Sequence, residues 1–312
     1  MAYRFTRRKS VARSVRRIAR QEIRKAIRDL STSTELRHIG IHEARKRLKK
    51  LRSLLRLVRK PMRRQWTAVD TLLRDIGRGL AAARDAEAVV ESLDTLLRES
   101  APQSIGQEFA PIQALLVARR DELIGAIDVE RRQDEAAAAL ASLAGCVDDW
   151  RLGRAGLATV NREIRRCYAS ARRAMDEAFD SGQDERFHRW RKCVKHHAHH
   201  VRLLGNLWRP VMDAFSQQLE QLGDLLGHDH DLSALRAALS EPRFAGEPAA
   251  PALLALIDRR RATVRAAARE LGARLFAERP RELAERIAHY WKAWRSHRKP
   301  PRKLQAVWLD GR

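Results

Sequence analysis

IHEARKRLKKLRSLLRLVRK, residues 41–60, and FHRWRKCVKHHAHHVRLLGNLW, residues 187–208, are two versions of one pattern. A shift of 146 positions lays His42 on His188, Arg45 on Arg191, Lys46 on Lys192 and Lys49 on Lys195. Arg56 then meets Arg202, and Leu57 meets Leu203. The register continues upstream, where Arg16, Ile18 and Arg20 meet Arg162, Ile164 and Arg166. Downstream, Gly77, Leu80 and Asp85 meet Gly223, Leu226 and Asp231. An ungapped register over that length predicts two copies of one unit, residues 1–150 and 151–312. Each copy carries several helices, enough for its own antiparallel bundle.

On a helical wheel, Arg45, Lys46, Lys49 and Arg56 fall within about 60° of His42. Ala44, Leu48, Leu51, Leu54, Leu55 and Val58 take the opposite side, which is a core stripe. In the second copy His188, Arg191, Lys192, Lys195, His199 and Arg202 share one face, with Trp190, Val194, Val201 and Leu204 behind them. Arg47, Lys50 and Arg52 widen the first patch. Helical periodicity covers nearly all of the chain, at roughly 9–30, 40–59, 62–78, 85–99, 104–128, 132–147, 156–180, 185–206, 211–226, 231–240, 250–277 and 281–297. Alternating strand patterns and Asn-Gly hairpin turns are absent, so the expected class is all-α. Breaks are expected at Ser31–Thr34, Pro61, Gly77/Gly79, Pro102, Gly153, Ser181-Gly182, Pro210, Gly227, Pro242–Pro251 and Pro280, and the stretch Lys299–Arg312 has no periodicity.

Bulk numbers narrow the function. The 312 residues carry 63 basic and 39 acidic side chains, a net +24, and 52 of the basic ones are Arg. Hydrophobics at 44% beside charged residues at 33% exclude general disorder. The longest uncharged run, Ala136–Val147, has 12 residues and is too short to span a bilayer. The start, MAYRFTRRKS, lacks the apolar stretch of a signal peptide. Three separated cysteines, Cys146, Cys167 and Cys193, form no disulfide framework and fit a reducing cytoplasm. With 17 aromatics the chain is poor in base-stacking platforms.

Arg, Ala and Leu are all frequent, so some of the charge is compositional background. Alignment on one helix face is not. Like charges at i,i+4 destabilise a helix, and no acid shares the strip, Glu43 sitting off it. The expected neutraliser is therefore external: a linear polyanion, gripped by bidentate Arg forks and Lys point charges, with His gaining charge near neutral pH. The first helix adds Arg13, Arg16, Arg17, Arg20 and Arg24 opposite Val15, Ile18, Ala19, Ile23, Ile27 and Leu30. Arg16 and Arg20 are counted among the expected contacts.

The segments 41–60 and 187–208 resemble the signature helix of the CHAD domain, the conserved histidine α-helical domain. LLRDIGRGLAAARDAEAVV (72–90) and LEQLGDLLGHDHDLSALRAAL (219–239) resemble its second recurrent stretch. The resemblance spans roughly 9–297. It implies two pseudo-symmetric four-helix bundles with a basic cleft between them, binding of inorganic polyphosphate and association with polyphosphate granules. Carried over by position, the contacts are His42, Arg45, Lys46, Lys49, Arg52, Arg56, His188, Arg191, Lys192, Lys195, His199 and Arg202. Two departures stand out. Ala198 faces Arg52, and His230-Asp231 faces Arg84-Asp85, so the second copy is expected to bind with more pH dependence. The Glu-x-Glu-x-Lys strand of the CYTH triphosphate tunnel, fused to some relatives, is absent.

Enzymatic readings have little support. His196 and His200 have a chelating i,i+4 spacing and His228–Asp231 stand ready as further ligands. The first copy, however, carries Lys50, Leu51, Ser53 and Leu54 at the equivalents of His196, His197, His199 and His200, so no metal or other cofactor is expected. Asp85 and Asp231 read as helix N-caps, His197 falls on the apolar side, and Cys193 reads as an ordinary helical cysteine. No G-x-S-x-G or Walker sequence is present. The expectation is a non-enzymatic cytoplasmic binder of inorganic polyphosphate, with granule proteins as further partners and weak, non-specific nucleic-acid binding at low salt. The alternatives are a nucleic-acid binder, disfavoured by few aromatics and no Asn/Gln beside the strips, and an anionic-membrane or granule-coat protein.

Overall fold

The computed structural model describes residues 3–32, 37–100, 107–153 and 155–296, and these are helices and their connections without a strand. The helices are α1 (Val11–Leu30), α2 (Arg37–Arg56), α3 (Arg59–Met62), α4 (Arg64–Gly79), α5 (Ala81–Ser100), α6 (Ala110–Gly125), α7 (Val129–Gly145), α8 (Leu157–Ser181), α9 (Asp184–Leu203), α10 (Arg209–Ala238), α11 (Ala250–Leu275) and α12 (Pro280–Ser296). Local chemistry sets many of the ends. Ser10 caps α1 by accepting from the Arg13 N–H at 3.2 Å. Asp128 caps α7 in the same way, accepting from the Arg131 N–H at 2.9 Å, so this helix begins three residues before its expected start. Gly182, with φ +66°, ends α8 in the left-handed conformation that a Cβ would disfavour. Asp184 and Glu185 in the first turn of α9 complement its dipole.

Other boundaries differ from expectation as well. Gly227 does not break the chain: α10 runs through it from Arg209 to Ala238. An interior glycine costs only about 1 kcal/mol, and the burial of Leu222, Leu226, Leu232 and Leu235 along that helix outweighs it. Asp231 therefore lies inside α10 and Asp85 inside α5, neither of them at an N-cap. Before α6, a 3₁₀ turn at Gln107–Phe109 replaces the start of the expected 104–128 helix. The expected breaks at Ser33-Thr34 and Pro102, and the stretch Lys299–Arg312, lie outside the described residues.

Helix order recurs along the chain. α1 and α2 correspond to α8 and α9. α4 and α5, which turn at Leu80, correspond to the single helix α10. α6 and α7 correspond to α11 and α12. The apolar core is not divided in two at residue 150, however. One large core takes side chains from α1, α2, α4 and α7 together with α8, α9, α12 and the N-terminal half of α10. A second takes Val89, Leu93 and Leu96 of α5, Ile112 and Leu116 of α6, Leu232 and Leu235 of α10, and Leu253 and Ile257 of α11. The two copies thus join in shared apolar cores, and α10, unbroken at Gly227, buries its two halves in different ones.

Candidate functional site

Both signature helices are fixed from behind by apolar side chains. In α2, Ala44, Leu48, Leu51, Leu54 and Leu55 are buried; in α9, Phe187, Trp190, Val194, Ala198 and Val201 are. This leaves the polar faces outward, as helical periodicity requires. The N-terminus of α9 is further pinned by two carboxylates and two guanidinium groups. Arg265 reaches Asp229 at 2.8 Å and Asp184 at 2.6 Å, and Arg261 reaches Asp229 at 3.1 Å and also pairs with Asp184. Ser233 donates to Asp184 at 2.6 Å. Burial works against ionisation of Asp184, yet these hydrogen bonds hold its carboxyl well below the usual range.

α2 and α9 pack against each other. At their seam the Ser53 hydroxyl lies 2.7 Å from His196 Nδ1, and the Ser53 carbonyl lies 2.8 Å from His200 Nε2. His196 and His200 are thereby engaged in helix–helix contact, and His197 is fully buried against Tyr168, Phe215 and Phe276. Among the described residues, no three His, Cys, Asp or Glu side chains are grouped to hold a metal ion. Cys193 keeps its proton: burial raises its thiol against the opposing pull of Arg189 and Arg56.

The packing gathers cations from both helices. Lys49 sits among Arg191 and Lys195 of α9 and Arg45 of its own helix, with Asp85 of α5 the acid nearest in influence. Lys49 is exposed as a whole residue, and the protein around it partly desolvates its ammonium. That desolvation, then the fields of Arg191, Arg45 and Lys195, lowers its pKa to about 8. Lys192 lies next in the row; burial and the nearby Arg191, Arg52 and Arg78 lower its pKa too. A glycine makes room for the Lys195 stem: a Cβ on Gly223 would stand 2.9 Å from Lys195 Cε, whereas one on Gly227 would meet the Arg191 guanidinium at an ordinary 3.6 Å. The recurrence of Gly77 and Gly223 in the sequence thus has different local meanings: Gly77 supplies the carbonyl that Arg45 Nη1 donates to at 2.6 Å.

Equivalent positions meet in both copies. Arg84 Nε donates to His42 Nδ1 at 3.2 Å. Their counterparts, His230 and His188, stack with ring centroids 4.2 Å apart. The departure at Arg84/His230 therefore falls on a contact to the signature histidine, which pattern reading alone did not reveal.

The expectation that no acids face the strip is corrected. Arg52 makes a two-pronged pair with Asp70 at 2.8 and 3.0 Å. Lys46 pairs with Glu43 at 2.6 Å, Lys195 with Asp224 at 2.9 Å, Arg202 with Glu220 at 3.0 Å, and Arg45 more loosely with Asp85 at 3.5 Å. Apart from Glu43 these acids come from other helices, out of reach of a single-helix wheel. Lys49, Arg56, Arg191 and Lys192 have no carboxylate pair among the described residues. Arg56 lies on the seam side, where its charge acts on His196 and Cys193. Arg16 and Arg20 are committed elsewhere, Arg16 to the Trp150 carbonyl at 2.8 Å and Arg20 to Asp148.

The histidines also behave differently from expectation. Burial, then Lys46 and Arg84, lowers His42. Burial, then His230 and Lys192, brings His188 to about 4. Burial, then Lys50, brings His199 to about 3, and its ring lies edge-on to Tyr3. Lowered in this way, these rings are neutral at pH 7, whereas Lys49, brought to about 8, titrates just above neutrality.

A family model described as the CHAD domain matches residues 21–240. The crystal structure of the CHAD domain from the plant Ricinus communis superposes with a TM-score of 0.56, covering 96% of this chain and 97% of that one at 18% identity, a likeness of fold. No curated protein matches the sequence. No helix among the described residues is long and apolar enough to cross a membrane.

Proposed function

The chain belongs to the CHAD domain family, and on that premise we propose that it captures inorganic polyphosphate on the cationic cluster where α2 and α9 meet. The observation that carries this reading is the convergence of Lys49, Arg45, Arg191 and Lys195 from two packed helices, with Lys192 beside them and no carboxylate pair on Lys49, Arg191 or Lys192. A run of one sign along two helices suits a flexible chain of phosphates. Arg forks hold pairs of oxygens, and each neutralised phosphate releases counterions. His42 and His188, neutral when free, take up protons as the polyanion raises their pKa values. The protein acts by binding without turnover, in the cytoplasm and at polyphosphate granules.

The test is a salt titration that sets long-chain polyphosphate against duplex DNA and anionic vesicles. At about 150 mM salt, polyphosphate should bind and resist displacement by an equal phosphate concentration of DNA. Displacement by DNA, or equal affinity for vesicles, would replace the reading with nucleic-acid or membrane binding. Changing Arg45, Lys49, Arg191 and Lys195 together to Ala should abolish binding with helicity unchanged by circular dichroism.

A further inference from the structure

Four lysines share the cationic surface, and their surroundings differ. Lys46 is tied to Glu43 at 2.6 Å and Lys195 to Asp224 at 2.9 Å. The Lys49 side chain makes no hydrogen bond or ion pair among the described residues, is exposed, and lies within the fields of Arg191 and Arg45. Of the neighbouring guanidinium groups, Arg45 is held by the Gly77 carbonyl and Arg191 lies over Gly227. Arg191 Nε has no hydrogen-bond partner among the described residues. Phosphate-binding forks therefore flank an amine that is free to react.

We propose that Lys49 is a site of acylation by acyl phosphates, with Arg191 and Arg45 receiving the phosphate group and Lys49 Nζ attacking the acyl carbon. The neutral amine's lone pair forms the N–C bond. The C–O bond to phosphorus breaks and its electron pair leaves with inorganic phosphate. The extra amine proton passes to water. The product is a neutral amide, so the reaction removes one charge from the centre of the cluster and weakens its hold on a polyanion. The proposal rests on the reading of this cluster as a phosphate-binding surface.

The reactivity is supported by the amine's pKa of about 8. At pH 7.5 its neutral fraction exceeds that of an ordinary lysine by about two hundredfold. Lower basicity costs a nucleophile roughly a factor of ten over that range. On the order of tenfold faster acylation remains for Lys49 over its paired neighbours.

The experiment incubates the whole protein with acetyl phosphate at pH 7.5 and follows each lysine by peptide mass spectrometry. Lys49 should be acetylated about tenfold faster than Lys46 or Lys195. Its rate should saturate with acetyl phosphate, and Arg191→Ala should remove both preference and saturation while circular dichroism stays unchanged. Equal rates at the three lysines, or a linear rate indifferent to Arg191→Ala, would overturn the proposal. Polyphosphate binding is measured on the unmodified protein in parallel. Binding with no Lys49 preference defeats the acylation alone, whereas absent binding defeats the reading beneath it.

Discussion

If the α2–α9 cluster binds polyphosphate as proposed, the affinity should fall as pH rises through about 8, and Lys49→Arg should remove that fall. In the free protein the ammonium is destabilised by lost hydration and by Arg191, Arg45 and Lys195, which sets its pKa near 8. A bound polyanion cancels those fields and favours the charged form, so the bound pKa is higher. Binding therefore takes up protons above neutrality, and its favourable contribution is present below pH 8 and lost above it. With a free pKa of about 8 and a bound value near that of an ordinary lysine, affinity drops about tenfold between pH 7 and pH 9. Solvent screening at this open position trims that to roughly three- to tenfold. An arginine stays charged throughout. The assay is fluorescence anisotropy of labelled polyphosphate at fixed ionic strength, comparing the ratio of affinities at the two pH values. Equal ratios in the parent and Lys49→Arg proteins would refute the assignment, because every other titrating group is common to both.

The carboxylates beside the strip separate into two kinds. Asp224 is 76% exposed and holds only Lys195, so Asp224→Asn should free that lysine and tighten polyphosphate binding by about two- to fivefold in the same assay. Asp70 is 13% exposed and grips Arg52 with two bonds, so Asp70→Asn should lower the melting temperature more than it changes affinity. Asp229 is 3% exposed beneath Arg261 and Arg265; Asp229→Asn should cost about 3 kcal/mol in denaturant unfolding by leaving those cations poorly paired. A Cβ on Gly272 would stand 2.7 Å from Met175 Sδ and 2.9 Å from the fully buried Trp190 ring, so Gly272→Ala should cost about 1–3 kcal/mol by overpacking. A neutral result in either unfolding experiment would show that the local structure relaxes freely.

Helix class and the faces of α2 and α9 were legible because both depend on periodicity within about twenty residues. The apolar stripes Leu48-Leu51-Leu54-Leu55 and Trp190-Val194-Val201 are buried. What a wheel cannot show is what neighbouring helices bring. Asp70, Asp224 and Glu220 are far along the chain from the cations they pair with, and no pattern within one helix marks them. The continuation of α10 through Gly227 was illegible for a related reason: propensity is a local penalty, and the burial that overrides it comes from two cores. The histidines misled because an imidazole's charge is set by burial and adjacent cations, neither of which residue type encodes. The offset marked these positions as equivalent, and the structure adds that they meet: His42 touches Arg84 and His188 touches His230.

Taken together, the pairings arrange the cations of the strip by how readily a polyanion can recruit them. Lys49, Arg191 and Lys192 need give up no carboxylate. Arg45, Lys195 and Arg202 hold exposed acids, which exchange for phosphate at little cost because each such pair contributes about 0–1 kcal/mol. Arg52 is locked to a shielded acid and serves the fold first. A surface built entirely of unpaired cations would suffer the self-repulsion that a net +24 already imposes. A surface entirely paired would have to break every pair to bind. On the proposed reading, Lys49, Arg191 and Lys192 start capture and the exchangeable Arg45, Lys195 and Arg202 extend it, so the acids that a single-helix pattern misses are what let so basic a strip exist by itself.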